Sequence, residues 1–229
     1  MEKIKVLHCI ETISSGGVEV LRLGFARHYN KEHFDLRIVC TTAKGPIKKA
    51  LEEEGIQIIQ IGSFKSPFEF SKYKKVLRVI KQFSPHIIHG AVYEGMCMAS
   101  ICGLLGNVPI IIMEETSDPQ KRSAKAVWLQ RQLARLADKV IGISPSVTHY
   151  LIQKAKIPSK KVFLLNNGVD NTHLLSSTQN CIRDDIFLEP SDYVLGSVGR
   201  VHDKVKRFSD ILRAIKLINN PAVKFLLIG

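Results

Sequence analysis

Seven short apolar runs, each followed by a stretch with helical spacing, leave few folds open to this chain. The runs are residues 4–10, 35–40, 56–61, 86–90, 109–113, 139–143 and 161–167. Helical patterns are expected near 17–30, 46–54, 70–83, 93–105, 122–136 and 145–154. The runs are about five residues long and do not alternate strictly, as strands covered on both faces require. Strand-helix alternation of this kind implies right-handed crossovers and a doubly wound parallel sheet, so the fold class is α/β. A polar stretch with weak periodicity, "DNTHLLSSTQNCIRDD", follows at 170–185. The pattern then restarts with a strand at 193–199, a helix at 207–219 and a strand at 223–229. The expected organisation is a Rossmann-like domain over 1–170, a linker over 171–191, and the first β-α-β unit of a second Rossmann-like domain over 192–229. That last piece holds too little apolar material for a core of its own.

Charge narrows the partners. The 33 Lys and Arg against 21 Asp and Glu give a net charge of +12, which favours a phosphorylated small molecule, an acidic membrane surface or nucleic acid. Nucleic acid is disfavoured, because helix-turn-helix, zinc and aromatic-ribbon signatures are absent. Cys9, Cys40, Cys97, Cys102 and Cys181 are scattered, odd in number and free of Cys-x-x-Cys pairs, which speaks for buried thiols in a reducing compartment. The apolar run after Lys3 and Lys5 is too short for a signal peptide. Residues 95–113 are uncharged and long enough to span a bilayer, but "GNVP" interrupts them. A buried helix, a turn and a buried strand are expected there. In 68–83, Phe70, Tyr73, Val76, Leu77, Ile80 and Phe83 share one helical face, and five cations lie largely elsewhere. This helix either packs on the core or rests on an anionic membrane.

"SSGG" at 14–17 separates the first strand from the first helix. Gly16 and Gly17 would let backbone approach a ligand at the helix N-terminus, where free N–H groups face anions. Glu19, in the first turn, suits the helix dipole. The pattern is neither Gly-x-Gly-x-x-Gly nor a P-loop, so a dinucleotide fingerprint is absent. A plain strand-to-helix turn remains an equal reading.

Five segments in order carry a resemblance: "GGVE" (16–19), "HIIHG" (86–90), "VIGISPSV" (140–147), "VFLLNNGVD" (162–170) and "GSVGRVHDKVKRFSDILRAI" (196–215). Together they resemble family 4 of the retaining glycosyltransferases, which have the two-domain GT-B fold. The resemblance implies a nucleotide-sugar donor held by the second domain and an acceptor held mostly by the first. It assigns the donor diphosphate to Arg200 and Lys206, with Lys204 a competitor for the lysine role. Arg207 stands where the family usually has glycine. The family's Glu-x7-Glu segment is missing, since the sequence stops at Gly229, and this puts the activity of the 229-residue chain in question.

Cations at Arg200 and Lys206 would stabilise charge developing on a leaving diphosphate, so neither a metal nor another cofactor is expected. His89, at the end of the fourth strand, is a candidate base or hydroxyl partner, or a hydrogen-bonded strand-end histidine. Glu94 opens the next helix, where it either binds acceptor or serves the dipole. Glu114 and Glu115 stand where many relatives carry a histidine. They are read as loop residues that either bind acceptor hydroxyls, with Glu115 also a catalytic candidate, or are simply solvated. Gly168 is expected to relieve a positive-φ turn beside Asn167, and Ser144 to cap a helix ahead of Pro145. The resemblance further implies a cytoplasmic enzyme, peripheral on the inner membrane face, acting on a glycan or lipid-linked acceptor in cell-envelope synthesis. A non-catalytic binding domain and a GT-B nucleotide-sugar epimerase remain alternatives.

Overall fold

The computed structural model describes residues 2–64, 69–117, 122–168, 182–199 and 201–229. It divides into two compact units, Met1–Asp170 and Asn171–Gly229.

The first unit is built on seven parallel strands: β1 (Ile4–Ile13), β2 (Phe34–Ala43), β3 (Gln57–Gln60), β4 (Ile87–Ala91), β5 (Ile110–Glu115), β6 (Lys139–Gly142) and β7 (Val162–Leu164). Their spatial order is β3-β2-β1-β4-β5-β6-β7. The chain winds outward through β2 and β3, returns beside β1 as β4, and winds the other way. The crevice between the carboxyl ends of β1 and β4 is therefore the topological switch point, where open α/β sheets hold ligands.

Two apolar layers cover the sheet. On one face α1 (Gly17–His28) and α2 (Pro46–Glu53) enclose Ile10, Leu23, Leu36, Ile38 and Leu51. On the other, α3 (Phe70–Phe83), α4 (Val92–Leu105), α5 (Ala124–Leu136) and α6 (Pro145–Gln153) bury Leu7, Val76, Ile88, Met98 and Leu133. Helix α4 is apolar on every side and lies at the centre of this layer, against α3, α5 and the strands. Gly95 makes that approach possible: a Cβ there would sit 2.3 Å from the Cys9 carbonyl oxygen. Residues 95–113 are thus helix, turn and strand. Among the described residues, no helix is long and apolar enough to cross a membrane.

The apolar stripe of α3 belongs to the core. Tyr73, Val76, Ile80 and Phe83 are all buried. Each such side chain contributes about 1.5–3 kcal/mol by leaving water, so this stripe is not available to lipid. Lys74, Lys75, Arg78 and Lys81 remain exposed, with Phe70, Ser71 and Gln82.

Most boundaries fall within two residues of expectation, and the larger differences are these. Strands β1 and β2 run three residues further, and β7 stops at Leu164. Strand β5 continues through Glu115, because Glu114 and Glu115 pair with Ile141 and Gly142 of β6. Gly168 does not adopt a positive φ, so no turn of that kind requires it. Ser144 does cap α6: its Oγ accepts from Val147 N at 3.3 Å, with Pro145 in the first turn. Cys9, Cys40, Cys97 and Cys102 are free and buried, while Cys181 lies outside the described residues.

In the second unit, β8 (Tyr193–Val198) pairs in parallel with β9 (Val223–Ile228). Between them lie α8 (Asp203–Lys206) and α9 (Phe208–Ile218), and α7 (Ile182–Asp185) precedes β8. Residues 171–181 of the expected linker lie outside the described residues. Phe208 is buried, but Tyr193, Val198, Leu217 and Ile228 stand exposed.

Candidate functional site

The switch-point crevice of the first unit is acidic. Glu11 lies near the end of β1, Glu19 in the first turn of α1, and Glu94 in the first turn of α4. Burial raises the Glu11 carboxyl above its ordinary range, and the charges of Glu94 and Glu19 push it the same way. Such a crevice repels a diphosphate and offers acceptor oxygens to hydroxyl groups.

Gly16 is the N-cap of α1 in extended conformation. Its lack of a side chain is a packing requirement, since a Cβ there would lie 2.2 Å from Glu19 Oε2. Glu19 folds back beneath the loop to reach Thr12 Oγ1 at 3.4 Å and Ser14 Oγ at 3.5 Å. A Cβ on Gly17 would meet nothing within 4 Å, so that position opens onto free space.

Glu114 and Glu115 end β5, and the alternation of a strand sends them to opposite faces. Both are buried, at 5% and 1% exposure, so the expectation that they stand in a solvated loop is corrected. Glu115 turns toward α5, where a closed network holds it. Arg122 Nη1 donates to its Oε2 at 2.5 Å, Gln130 Nε2 to the same oxygen at 2.7 Å, and Ser117 Oγ to Oε1 at 3.0 Å. Arg122 and Tyr150 also donate to Gln130 Oε1, at 2.9 and 3.2 Å. Every direction around this carboxylate is engaged. It braces the loop after β5 and has no free oxygen with which to act as a base.

Glu114 turns the other way, toward α1. Arg22 Nη2 donates to its Oε1, and His89 Nε2 lies 3.0 Å from its Oε2, off the axis of an aligned hydrogen bond. Burial would raise the Glu114 carboxyl. The His89 contact and the Arg22 guanidinium outweigh it and hold the group at about 2. His89 Nδ1 faces His8 Nδ1 at 3.0 Å. Two protons cannot share that contact, so one ring donates and the other accepts. His8 is neutral, because burial, then Arg22 and then His89 hold its pKa well below 6.5. His8 Nε2 and Arg22 Nε, both buried, have no hydrogen-bond partner among the described residues. His89 is therefore held in an Arg22–Glu114–His89–His8 cluster on the α1 face of the sheet, where it lines an apolar cavity with Val6, Phe25, Ile87 and Ile112. Arg22 and His8 carry no motif that sequence reasoning could have found. The one available cue is that a buried carboxylate at a strand end needs a cation nearby.

In the second unit, Arg200 lies outside the described residues. Lys206 is exposed, and its stem lies across the end of β8: a Cβ on Gly199 would sit 3.2 Å from Lys206 Cε. The Gly199 φ of 157° is at the edge of the region that favours glycine. Asp203 accepts from Ser209 N at 2.8 Å and from its hydroxyl at 2.7 Å, ordering the start of α9. Arg207 has a φ of 57°, a left-handed conformation, which explains why glycine suits this position.

Fold and crevice define a class: a Rossmann-like, GT-B-type α/β protein whose ligand crevice lies at the switch point of a parallel sheet. The sequence matches the profile of Glycosyltransferase Family 4 over residues 15–173, and the chain belongs to that family of glycosyltransferases. No curated protein matches it. Among solved structures it is similar to Anabaena HepE in complex with UDP and glucose, with a TM-score of 0.75 and 16% identity over 99% of this chain and 70% of HepE. A glycosyltransferase from Rickettsia africae gives a TM-score of 0.73 at 16% identity, over 100% of this chain and 69% of that one. A putative UDP-N-acetylglucosamine 2-epimerase from Listeria monocytogenes gives 0.63 at 16% identity, over 99% of this chain and 63% of the epimerase.

Proposed function

We propose that the chain is the acceptor-side domain and the opening of the donor-side domain of a retaining glycosyltransferase. It moves a sugar from a nucleotide-diphosphate sugar to a glycan or lipid-linked acceptor in cell-envelope polysaccharide or glycolipid synthesis, on the cytoplasmic side of the membrane. The observation that carries this reading is the opposite charge of two strand-end sites within a glycosyltransferase family. The β1/β4 crevice is lined by Glu11, Glu19 and Glu94, whereas the end of β8 is overlain by Lys206. Carboxylates suit hydroxyl acceptors, and cations suit a diphosphate.

In this reading the bond between the anomeric carbon and the diphosphate oxygen breaks as the acceptor oxygen bonds to the same face of that carbon. The departing phosphate takes the acceptor proton, so no protein base is assigned. Lys206 and Arg200 stabilise the charge that grows on the diphosphate, which matters more in the transition state than in the ground state. Glu94 binds acceptor at the crevice, Glu114 holds His89 in place on the α1 face of the sheet, and Gly17 leaves room for the bound sugar.

HepE is seen with UDP and glucose, so UDP-glucose is the first donor to test. Titration should show binding that weakens about tenfold to a hundredfold in Lys206→Ala, the scale of one charge-assisted contact. Equal affinity in the variant would remove Lys206 from the donor site. The similarity to an epimerase supports a second reading, separated by a product assay: an epimerase converts the sugar nucleotide without any acceptor.

A further inference from the structure

Helices α3 and α5 flank α4 and form the outside of its layer. Neither contains an aspartate or a glutamate; α3 carries five lysines and arginines and α5 carries three. In α3, Lys74 and Arg78 are four residues apart and point away from the buried stripe. In α5, Lys125 and Arg135 lie on the side opposite buried Gln130, Leu133 and Ala134. Among the described residues, none of these four cations is in an ion pair.

Each of the two helices also exposes one large aromatic side chain. Trp128 of α5 is 62% exposed and Phe70 of α3 is 72% exposed. Both helices begin at the carboxyl end of the sheet, so both aromatics sit near the crevice end of the layer. Exposed aromatics among unpaired cations are costly in water and favourable at a lipid headgroup boundary, where the ring enters the interface and the cations meet anionic lipid.

We infer that the outer face of α3 and α5 docks on an anionic bilayer, with Trp128 and Phe70 entering the headgroup layer. The contact deepens the lipid-linked reading of the acceptor and rests on it for its purpose, though the surface itself does not. It differs from an amphipathic insertion of α3, whose apolar stripe is in the core. The cations set the attraction, and the aromatics set the end of the domain that meets the membrane.

Trp128 is the only tryptophan, so its emission reports the contact directly. The whole chain is titrated with vesicles of phosphatidylcholine alone and of phosphatidylcholine with about one third phosphatidylglycerol. The expected result is a blue shift with anionic vesicles only, reversed by high salt. Co-sedimentation with the same vesicles should be about thirtyfold weaker for Lys125→Gln with Arg135→Gln, at about 1 kcal/mol per cation. Phe70→Ala with Trp128→Ala should also weaken it. Unmoved emission, an equal shift with neutral vesicles, or full co-sedimentation of either double variant would overturn the proposal. So would a shift caused by an RNA oligomer or by protein concentration but not by vesicles. Sugar transfer to a water-soluble acceptor is measured separately, so a failed vesicle test leaves the transferase reading standing.

Discussion

The carboxyl ends of β5 and β8 each lie at the mouth of a parallel strand, yet they are built on opposite terms. At the end of β5 two carboxylates are buried and each holds an arginine, Arg22 on one face and Arg122 on the other. At the end of β8 the ionic groups stay in water: the side chains of Arg207 and Asp210 are 68% and 42% exposed. Buried pairs contribute little net stability while intact and cost much when one partner is lost, whereas exposed pairs matter little either way. The first mouth is therefore rigid and intolerant of change. The second is left adaptable, as the diphosphate site proposed above must be before its ligand arrives.

Cutting the brace gives the largest effect. Glu115→Ala strands the Arg122 guanidinium and the Gln130 amide in the interior, which should destabilise the first unit by about 3–5 kcal/mol. Urea unfolding measures it. A loss under 1 kcal/mol would show that Arg122 escapes to water and that the β5 mouth is no more rigid than that of β8.

Acid should act next, on the α1 side of the same mouth. Glu114 has a folded pKa of about 2 against an ordinary 4.5, so the unfolded chain binds its proton first as pH falls. Its stabilisation is complete above pH 4.5 and is lost toward pH 2, an amount on the order of 3 kcal/mol. In Glu114→Gln the stability curve should flatten across that window. An unchanged acid limb would place the titration elsewhere.

His8 acts earlier on the same curve. Its folded pKa is well below 6.5, so the unfolded state takes up a proton that the folded state refuses. Stability should start to fall below pH 6.5, with a slope approaching about 1.4 kcal/mol per pH unit. His8→Gln should remove that slope between pH 6.5 and 4.5. If the slope survives, His8 is not the buried neutral partner of His89.

The order of strands and helices was legible because periodicity is local: a run of β-branched residues and the helix after it lie side by side in the sequence. The end of β5 was not legible in this way. "EETSDP" reads as a turn, and the partners that pull its carboxylates inward are remote. Arg22 lies 92 residues from Glu114, and Gln130 lies 15 from Glu115. Had the strand been extended through Glu115, strict alternation would have sent the two carboxylates to opposite faces; Arg122, seven residues on from Glu115, is a local cation, but nothing local names Arg22. Arg207 is the reverse case. The departure from the family's glycine was visible in the sequence, and the left-handed backbone at that residue is its physical counterpart.

That residue supplies the smallest and most discriminating test of the contrast. Arg207 holds a left-handed conformation that costs a residue with a Cβ about 1 kcal/mol and costs glycine almost nothing. Among the described residues its side chain compensates only through Asp210, with Nε donating to Oδ2 at 2.5 Å in full view of solvent. An exposed pair of this kind contributes a few tenths of a kcal/mol and less at high salt. Arg207→Gly should therefore leave α9 as stable as before or up to about 1 kcal/mol more stable, with part of the gain offset by the freer unfolded chain. Hydrogen exchange of the α9 amides reads this without depending on the first unit. Faster exchange in the variant would mean that the Arg207–Asp210 pair does at β8 what Arg122–Glu115 does at β5, and the two strand ends would no longer differ in kind.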